Sequence, residues 1–155
     1  MSAAGGVSIR RLGAGDVAAM RGLNALFADV FDDRASYADR PPSDAELADA
    51  LGRPGTIPLV AEREGTIVGG LVAYEMRKLE QARSEIYIYD LAVLGSHRRQ
   101  GIATALIEAL KPIAKACGAW MIFVQADPGD DPAIALYDKL GLREDVLHFD
   151  ILPHG

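Results

Sequence analysis

Residues 85–110 restrict the possible folds of this chain more than any other stretch. Residues 85–93 are rich in β-branched and aromatic side chains, which is typical of a β-strand. A break follows at Leu94, Gly95 and Ser96. Further on, the apolar residues recur at helical spacing, at Ile102, Ala105, Leu106, Ala109, Leu110 and Ile113. The sequence therefore predicts a strand, a glycine-bearing loop and an amphipathic helix in direct succession.

The loop between this strand and this helix has the composition of an anion-binding site. A helix N-terminus offers free backbone N–H groups and the positive end of the helix dipole. Gly101 allows the backbone to approach a ligand, Ala103 leaves the surface flat and Thr104 adds a hydroxyl group. Arg98 and Arg99 add positive charge. We therefore expect a phosphate group here, the alternative being two solvated arginines and a glycine that only caps the turn.

Length and composition predict one ordinary globular domain. The chain has 155 residues, of which 50% are apolar and 25% are charged. The single cysteine, Cys117, excludes an internal disulfide framework, and at the end of an apolar helix it is expected to be a small buried side chain. The three histidines have no metal-ligand spacing, so no metal is expected. The first residues lack the apolar core of a signal peptide and no window could span a membrane, which predicts a cytoplasmic protein.

The acidic residues are concentrated near the C-terminus. The formal net charge is −6, and the acids of residues 127–150 outnumber the bases Lys139 and Arg143. These acids are Asp127, Asp130, Asp131, Asp138, Glu144, Asp145 and Asp150. Such a field repels nucleic acid and favours cationic ligands, although a merely solubilising surface would have the same composition.

Hydrophobic periodicity predicts alternating strands and helices along the rest of the chain. Strands are expected at residues 7–12, 57–63, 66–75, 85–93 and 120–126, the last of them apolar enough to be buried on both faces. Helices are expected at residues 16–31, from a capping box at Ser43 to Gly52, at 102–117, and from an N-cap at Asp131 to Gly141. Residues 37–42 are predicted to be a loop, and residues 142–151 one or two closing strands.

The loop and its surroundings resemble those of GNAT acetyltransferases. The pattern Arg-x-x-Gly-x-Ala at residues 98–103, after a strand that ends Asp-Leu-Ala-Val, is similar to the acetyl-CoA pyrophosphate loop of that superfamily. The predicted element order is similar to the GNAT fold from end to end. The resemblance implies an α/β (α+β) class and a single domain over residues 1–155. It also implies a mixed twisted sheet of about six to seven strands with about four flanking helices.

Residues 81–104, 125–131 and 148–150 resemble the gentamicin-type aminoglycoside 3-N-acetyltransferases. This resemblance implies direct transfer of an acetyl group from acetyl-CoA to an amine of a polycationic aminoglycoside, which confers antibiotic resistance. It implies small-molecule partners, with neither nucleic acid nor a membrane, and it allows a homodimer. Two alternatives remain: a GNAT acetyltransferase for another amine, such as a polyamine or a protein terminus, and a non-catalytic acyl-CoA-binding module. The module would have no use for Asp90 and Tyr137 together.

The resemblance also implies roles for individual residues. Cofactor binding is expected from Leu91, Ala92, Val93, Arg98, Arg99, Gln100, Gly101, Ile102, Ala103, Thr104 and Tyr137. Tyr137 lies in Ala-Leu-Tyr-Asp-Lys-Leu-Gly, similar to a superfamily helix whose tyrosine protonates the departing thiolate. Substrate binding is expected from Asp90, Asp127, Asp130, Asp131, Glu144 and Asp150.

The identity of the catalytic carboxylate stays open between Asp90 and Glu85. Strand alternation puts Asp90 on one face with Ile86 and Ile88, and Glu85 on the other. A β-bulge, frequent in this strand of the superfamily, would re-aim these side chains, so alternation does not decide. Asp90 is the preferred candidate because it adjoins the expected acetyl-binding segment. The alternative is a structural carboxylate paired with a neighbouring arginine or lysine.

Overall fold

The computed structural model describes residues 2–3 and 6–155, which divide into two compact units after Gln125. In the first unit, six strands form one sheet in sequence order: β1 (Ser2–Ala3), β2 (Val7–Arg11), β3 (Thr56–Arg63), β4 (Thr66–Arg77), β5 (Ser84–Val93) and β6 (Ala119–Val124). All neighbouring strands are antiparallel except β5 and β6, which are parallel. The parallel pair needs a crossover connection, and a helix supplies it.

In the part of the chain that the structure describes, five α-helices accompany the strands. They are α1 (Val17–Val30), α2 (Arg34–Tyr37), α3 (Asp44–Leu51) and α4 (Ile102–Ala116) in the first unit, and α5 (Asp131–Leu140) in the second. The predicted capping box of α3 is confirmed, since Ser43 and Glu46 exchange two hydrogen bonds of 3.1 Å. Within the described residues, no helix combines the length and the apolar character needed to cross a membrane.

Two adjacent glycines show that α1 and α4 lie on opposite faces of the sheet. A Cβ atom added to Gly70 would clash with Leu23 of α1, whereas one added to Gly69 would lie 3.4 Å from Ile102 of α4. Successive strand residues point to opposite faces, so the two helices cover the two faces. The α1 face holds a buried cluster: Leu12, Met20, Leu23, Leu26, Phe27, Leu47, Leu51, Val60, Val72 and Ala92. On α4 the fully buried side chains include Ile102, Leu106 and Leu110.

The predicted fold class is confirmed, with differences in its details. Five strands have five or more residues, and only the two-residue β1 brings the sheet to six, so the predicted six to seven strands was slightly high. The predicted closing strand is wrong, because residues 142–152 form neither helix nor strand. Its alternating pattern is present, but a strand also needs a neighbour for its backbone hydrogen bonds. The single domain stays a prediction.

The predicted helices and the burial of β6 also need correction. A fifth helix, the single turn α2, includes Tyr37, which was expected in a loop; the Asp33 side chain caps it by accepting a hydrogen bond of 3.1 Å from Ser36 N–H. The N-cap of α5 is Asp130 and not Asp131, because the Asp130 carboxylate accepts from Ala133 N–H. Strand β6 is an edge strand, and its Trp120 and Met121 are about half exposed.

The close approach of α1 to the sheet predicts that Gly70→Ala destabilises the protein. The new methyl carbon would overlap Leu23 and lie 2.7 Å from the Leu59 carbonyl oxygen, a backbone atom that cannot rotate away. Overpacking of this kind costs about 1–3 kcal/mol, which urea unfolding would measure. Gly15→Ala is the control, because nothing lies within 4 Å of its added Cβ. Equal free energies of unfolding for the two variants would contradict the predicted constraint.

Candidate active site

The C-terminal part of β5 has an open backbone edge. Strands β5 and β6 pair only as far as Ile88 and Val124, whereas residues 91–93 continue to pair with β4. Backbone N–H and C=O groups of a strand point alternately to its two sides, so this segment presents hydrogen-bonding groups on the side away from β4. Within the described residues, no strand pairs with that side. Leu91, Ala92 and Val93 can therefore bind the amides of an extended ligand.

The loop after β5 leaves the N-terminus of α4 accessible. Arg98, Arg99 and Gln100 are exposed, and α4 begins at Ile102, whose side chain is buried and anchors the helix. Arg99 and Gly101 have φ angles of +62° and +77°, so the chain turns sharply just before the helix. The first N–H groups of an α-helix have no intrahelical partner and can bind an anion.

The same loop fits the phosphate groups of acetyl-CoA. Ala103 and Thr104 are half-buried in the first turn of α4, where they would border a bound anion. The Gln100 side chain is engaged elsewhere, because its Oε1 atom accepts a hydrogen bond of 2.9 Å from Arg63 Nη2. This loop follows the open edge of β5 directly along the chain.

A one-residue bulge in β5 decides where Asp90 points. Val72 of β4 pairs with Asp90 and the next residue, Ala73, pairs with Ile88, which leaves Tyr89 as the extra residue. Asp90 therefore lies on the opposite face from Ile86 and Ile88, and the face assigned to it by simple alternation is wrong. The bulge turns Asp90 to the face covered by α1.

Asp90 is half-buried and hydrogen-bonded to a tyrosine. Its Oδ1 atom accepts a hydrogen bond from the Tyr37 hydroxyl group of α2. Burial raises the pKa of Asp90, and the bond from Tyr37 partly opposes this rise. Burial and the bond to Asp90 raise the pKa of Tyr37, so its hydroxyl stays protonated and donates. The Tyr37 ring packs against two aromatic rings, Phe27 of α1 and Phe31, which is the C-cap of α1. Each of these ring centroids lies 5.6 Å from the centroid of Tyr37.

Three further tyrosines form a wall beside Asp90. The Tyr89 ring lies 6.2 Å from Tyr74 and 5.6 Å from Tyr87 between centroids, both in edge-to-face geometry. Tyr87 also stacks on Phe123 of β6 at 4.7 Å, and its hydroxyl donates to Gln125 Oε1 at 2.8 Å. Burial, together with the nearby Asp90 and Tyr89, raises the pKa values of Tyr74 and Tyr87. Such exposed ring faces and edges suit a saccharide or a cation.

Glu85, the other candidate carboxylate, occupies a different environment. It pairs across the sheet with Met76 near the N-terminal end of β5. Its Oε2 atom lies 3.7 Å from Lys78 Nζ, so it is a partner of a lysine and not of a tyrosine. Four residues of strand lie between it and Asp90, so the two carboxylate residues are about 16 Å apart along the chain.

The remaining candidate residues lie in the second unit. Tyr137 is half-buried on α5, and burial, helped by the charge of Asp130, raises its pKa to about 12. Asp127, Asp130 and Asp131 are exposed at the start of α5, where Asp130 caps the helix. Glu144 and Asp150 are exposed on the segment after α5, and Asp150 Oδ1 binds His148 Nε2 at 2.8 Å.

Sequence reasoning missed the participation of Tyr37 and Tyr74. The position of Tyr74 near Asp90 follows only from the register of β4 and β5, which places β4 beside the bulge. Tyr37 was assigned to a loop, although Asp33 and Ser36 have the spacing of a helix cap. That cap was the one available sequence signal for α2, but it does not reveal the partner of the Tyr37 hydroxyl group.

Comparisons with known proteins agree with this geometry. A family model described as the acetyltransferase (GNAT) family matches residues 20–142. The solved structure of HMB0005, an aminoglycoside acetyltransferase from an uncultured soil metagenomic sample, is 53% identical with a TM-score of 0.92, covering 94% of this chain and 97% of that one. Another such enzyme of soil metagenomic origin, meta-AAC0020 in complex with sisomicin, is 32% identical with a TM-score of 0.87, covering 94% and 95%.

The curated relatives match a shorter region. An N-alpha-acetyltransferase from Sulfurisphaera tokodaii is 33% identical over 96 residues, which is 55% of each chain. The chain spans about half the length of the curated relatives it matches. The family match itself extends from α1 to the end of α5 and includes β5, the loop and the start of α4. The chain therefore belongs to the GNAT family of acetyltransferases.

Proposed function

We propose that this GNAT enzyme transfers the acetyl group of acetyl-CoA to an amine of an aminoglycoside, at the 3-amino group, and thereby confers resistance. The observation that carries the proposal is the position of Asp90, a half-buried carboxylate held by Tyr37 beside the open edge of β5. The acceptor class is supported by two similar structures of aminoglycoside acetyltransferases, one of them in complex with sisomicin.

Asp90 has the properties needed to prepare an amine for attack. An aminoglycoside amine is largely protonated at neutral pH, and only the neutral amine is a nucleophile. Asp90 would first attract the ammonium group and then accept its proton, directly or through water. A carboxylate whose pKa is raised by burial is a better general base than one in water. The tyrosine wall would hold the sugar ring that carries this amine.

The open strand edge and the loop would hold the cofactor. When bound, acetyl-CoA supplies an acetyl group activated as a thioester. Backbone groups of Leu91, Ala92 and Val93 would orient its extended arm, while Arg98, Arg99 and the N-terminus of α4 would hold its phosphates. A backbone N–H group at the end of β5 would stabilise negative charge on the acetyl oxygen.

Two groups of residues in the second unit complete the proposal. Tyr137 keeps its proton at neutral pH because its pKa is about 12, so it would act as the general acid for the departing thiolate. Asp127, Asp130, Asp131, Glu144 and Asp150 would attract the remaining ammonium groups of a polycation. Acetylation converts one ammonium group into a neutral amide, which weakens any binding that depends on that charge. A cytoplasmic location remains a prediction.

The proposal predicts that Asp90→Asn abolishes most of the activity. The amide cannot accept the amine proton, so kcat with a gentamicin-like substrate should fall by about 10²–10⁴-fold, as is typical when a general base is lost. Release of free thiol from acetyl-CoA measures the rate. Glu85→Gln is the matched control on the same strand and should retain near-normal kcat, because Glu85 binds Lys78.

Other outcomes of this pair would change the assignment. If Glu85→Gln lost activity and Asp90→Asn kept it, Glu85 would be the base. If neither variant mattered and no aminoglycoside released thiol, the proposed substrate would be wrong. Binding of acetyl-CoA without turnover on any amine would indicate a non-catalytic acyl-CoA-binding module.

Removal of the Tyr37 hydroxyl group should shift the pH dependence. The bond from Tyr37 lowers the pKa of Asp90, so Tyr37→Phe raises this pKa further. The general base works only when ionised, and kcat/KM falls as the pH drops through the pKa of Asp90. The acidic limb of the pH profile should therefore move to higher pH. Tyr87→Phe is the control, since that hydroxyl binds Gln125, and an equal shift in both variants would contradict the role of Tyr37.

The arginines of the loop should contribute to cofactor affinity. A hydrogen bond to a charged group contributes about 1.5–3 kcal/mol, so the double variant Arg98→Ala/Arg99→Ala should raise the Kd of acetyl-CoA at least about tenfold. Calorimetric titration measures this value. The control Arg53→Ala/Lys111→Ala also removes two positive charges, but outside the loop. Arg53 lies just after α3 and Lys111 lies on α4, and both side chains are exposed. An unchanged Kd in the loop variant would exclude both arginines from the binding site.

The competing acceptor is the N-terminus of a protein. It is favoured by the similarity to N-alpha-acetyltransferases, which extends over about half of the chain. The two proposals differ in the charge that the acceptor carries, because a peptide N-terminus has one amine and an aminoglycoside has several. Thiol release with sisomicin and with a panel of short peptides would distinguish them. A strong preference for a peptide would overturn the aminoglycoside proposal and leave the GNAT assignment intact.

A further inference from the structure

Arg63 connects the sheet to the loop that precedes α4. It is the last residue of β3, and the hairpin turn after it is tight, since Glu64 and Gly65 have φ angles of +52° and +79°. Arg63 pairs with Thr66 across this turn, so its backbone belongs to the sheet. Its Nη2 atom donates a hydrogen bond of 2.9 Å to Oε1 of Gln100. A side chain on a rigid hairpin thus holds a side chain of the loop.

The guanidinium group of Arg63 is incompletely satisfied within the fold. Its Nε atom is buried, yet it has no hydrogen-bond partner among the residues that the structure describes. The neighbouring carboxylate, Glu62, accepts a hydrogen bond of 2.7 Å from Arg10 instead. A buried donor without a partner lowers the stability of a fold, so its presence calls for another explanation. Stability alone therefore does not explain an arginine at this position.

Arg63 adds a third positive charge beside the N-terminus of α4. The other two belong to Arg98 and Arg99, and none of the three forms an ion pair in residues 2–3 and 6–155. The helix N-terminus is itself positive, so it does not compensate these charges. The arrangement favours a ligand with several negative charges, as the phosphate groups of CoA have.

Gln100 lies between two residues in the left-handed conformation. Arg99 precedes it with a φ angle of +62°, and Gly101 follows it with a φ angle of +77°. Glycine adopts this conformation readily, but an arginine does so at a cost, so surrounding contacts must hold it there. The bond from Arg63 fixes the residue between them and so stabilises the turn.

We propose that Arg63 is a positioning residue: by holding Gln100, it keeps the loop in the shape that binds the phosphates of acetyl-CoA. The inference rests on the proposed binding of the cofactor by this loop and adds to it a residue from a different strand. It also gives Gln100 a role other than contact with the cofactor, because its Oε1 atom accepts from Arg63. Positioning of this kind predicts a loss of cofactor affinity without a loss of stability.

Calorimetric titration of acetyl-CoA into the full chain tests this role. The variant Arg63→Met retains the aliphatic stem and loses the guanidinium group, so the Kd should rise at least about fivefold. The urea midpoint should not fall, since the substitution removes a buried donor that has no described partner. Arg53→Met is the matched control. Arg53 is exposed and pairs with Asp49, so its loss should leave the Kd unchanged.

A double-mutant cycle separates positioning from direct contact. Gln100→Leu removes the acceptor of the hydrogen bond. If Arg63 acts through Gln100, the double variant Arg63→Met/Gln100→Leu should bind acetyl-CoA no more weakly than the weaker single variant. Multiplied effects would mean that Arg63 contacts the cofactor by itself, and an unchanged Kd in Arg63→Met would mean that it has no part in binding. Either result overturns the proposal.

A shortened acetyl donor provides a second test. S-acetylpantetheine has the same thioester as acetyl-CoA but lacks the nucleotide and all phosphates. With sisomicin as acceptor, Arg63→Met should lower kcat/KM for acetyl-CoA and leave kcat/KM for S-acetylpantetheine unchanged. An equal loss with both donors would overturn the proposal, because a disturbed active site affects both. If sisomicin is not acetylated at all, the aminoglycoside proposal fails, while the titration of acetyl-CoA still decides the role of Arg63.

Discussion

The register between β4 and β5 is the constraint on which the candidate site depends. With Tyr89 as an extra residue, Asp90 lies on the α1 face, whereas without it Asp90 would share the face of Ile86 and Ile88. That opposite face is covered by α4 and is apolar, and an unpaired carboxylate is costly to bury there. A shift of one residue in a strand moves every side chain to the other face. The bulge therefore gives the carboxylate a tyrosine partner and an exit to solvent.

The position of the Tyr37 hydroxyl group depends in turn on how closely α1 approaches the sheet. Gly70 leaves room for Leu23, and this contact allows α1 to lie directly on β4. Phe27 of α1 is fully buried and supports the Tyr37 ring, together with Phe31. A missing side chain on one strand thus sets the position of a hydroxyl group on a different element. The geometry of the candidate site thus depends on core residues that are not part of it.

Features that depend on local chemistry could be predicted from the sequence. The start of α4 after Gly101 and the capping box at Ser43 are each determined by a few neighbouring residues, and the structure has both. The strand, loop and helix around residues 85–110 were predictable for the same reason. Their resemblance to a known loop also indicated the family, which the family comparison confirmed.

Features that depend on distant pairing could not be predicted in this way. The bulge at Tyr89 exists only with respect to β4, so alternation along β5 alone assigned Asp90 to the wrong face. The bond between Tyr37 and Asp90 joins residues 53 positions apart. Residues 142–151 have the pattern of closing strands but form none, because the pattern carries no information on whether a neighbouring strand is present. Periodicity describes the surfaces of an element, while pairing depends on what lies beside it.

The bond between Tyr37 and Asp90 also bears on how readily the site can be occupied. A carboxylate has about four lone-pair positions for hydrogen bonds, and Tyr37 uses one of them on Oδ1. Under the proposed function, an incoming amine would bind Oδ2 while the bond to the tyrosine stays intact. Occupation of this carboxylate therefore requires no disruption of the internal scaffold and no rearrangement of the two elements that the bond joins. For the proposed amine the site would be preorganised, and the free energy of binding need not be spent on reshaping it.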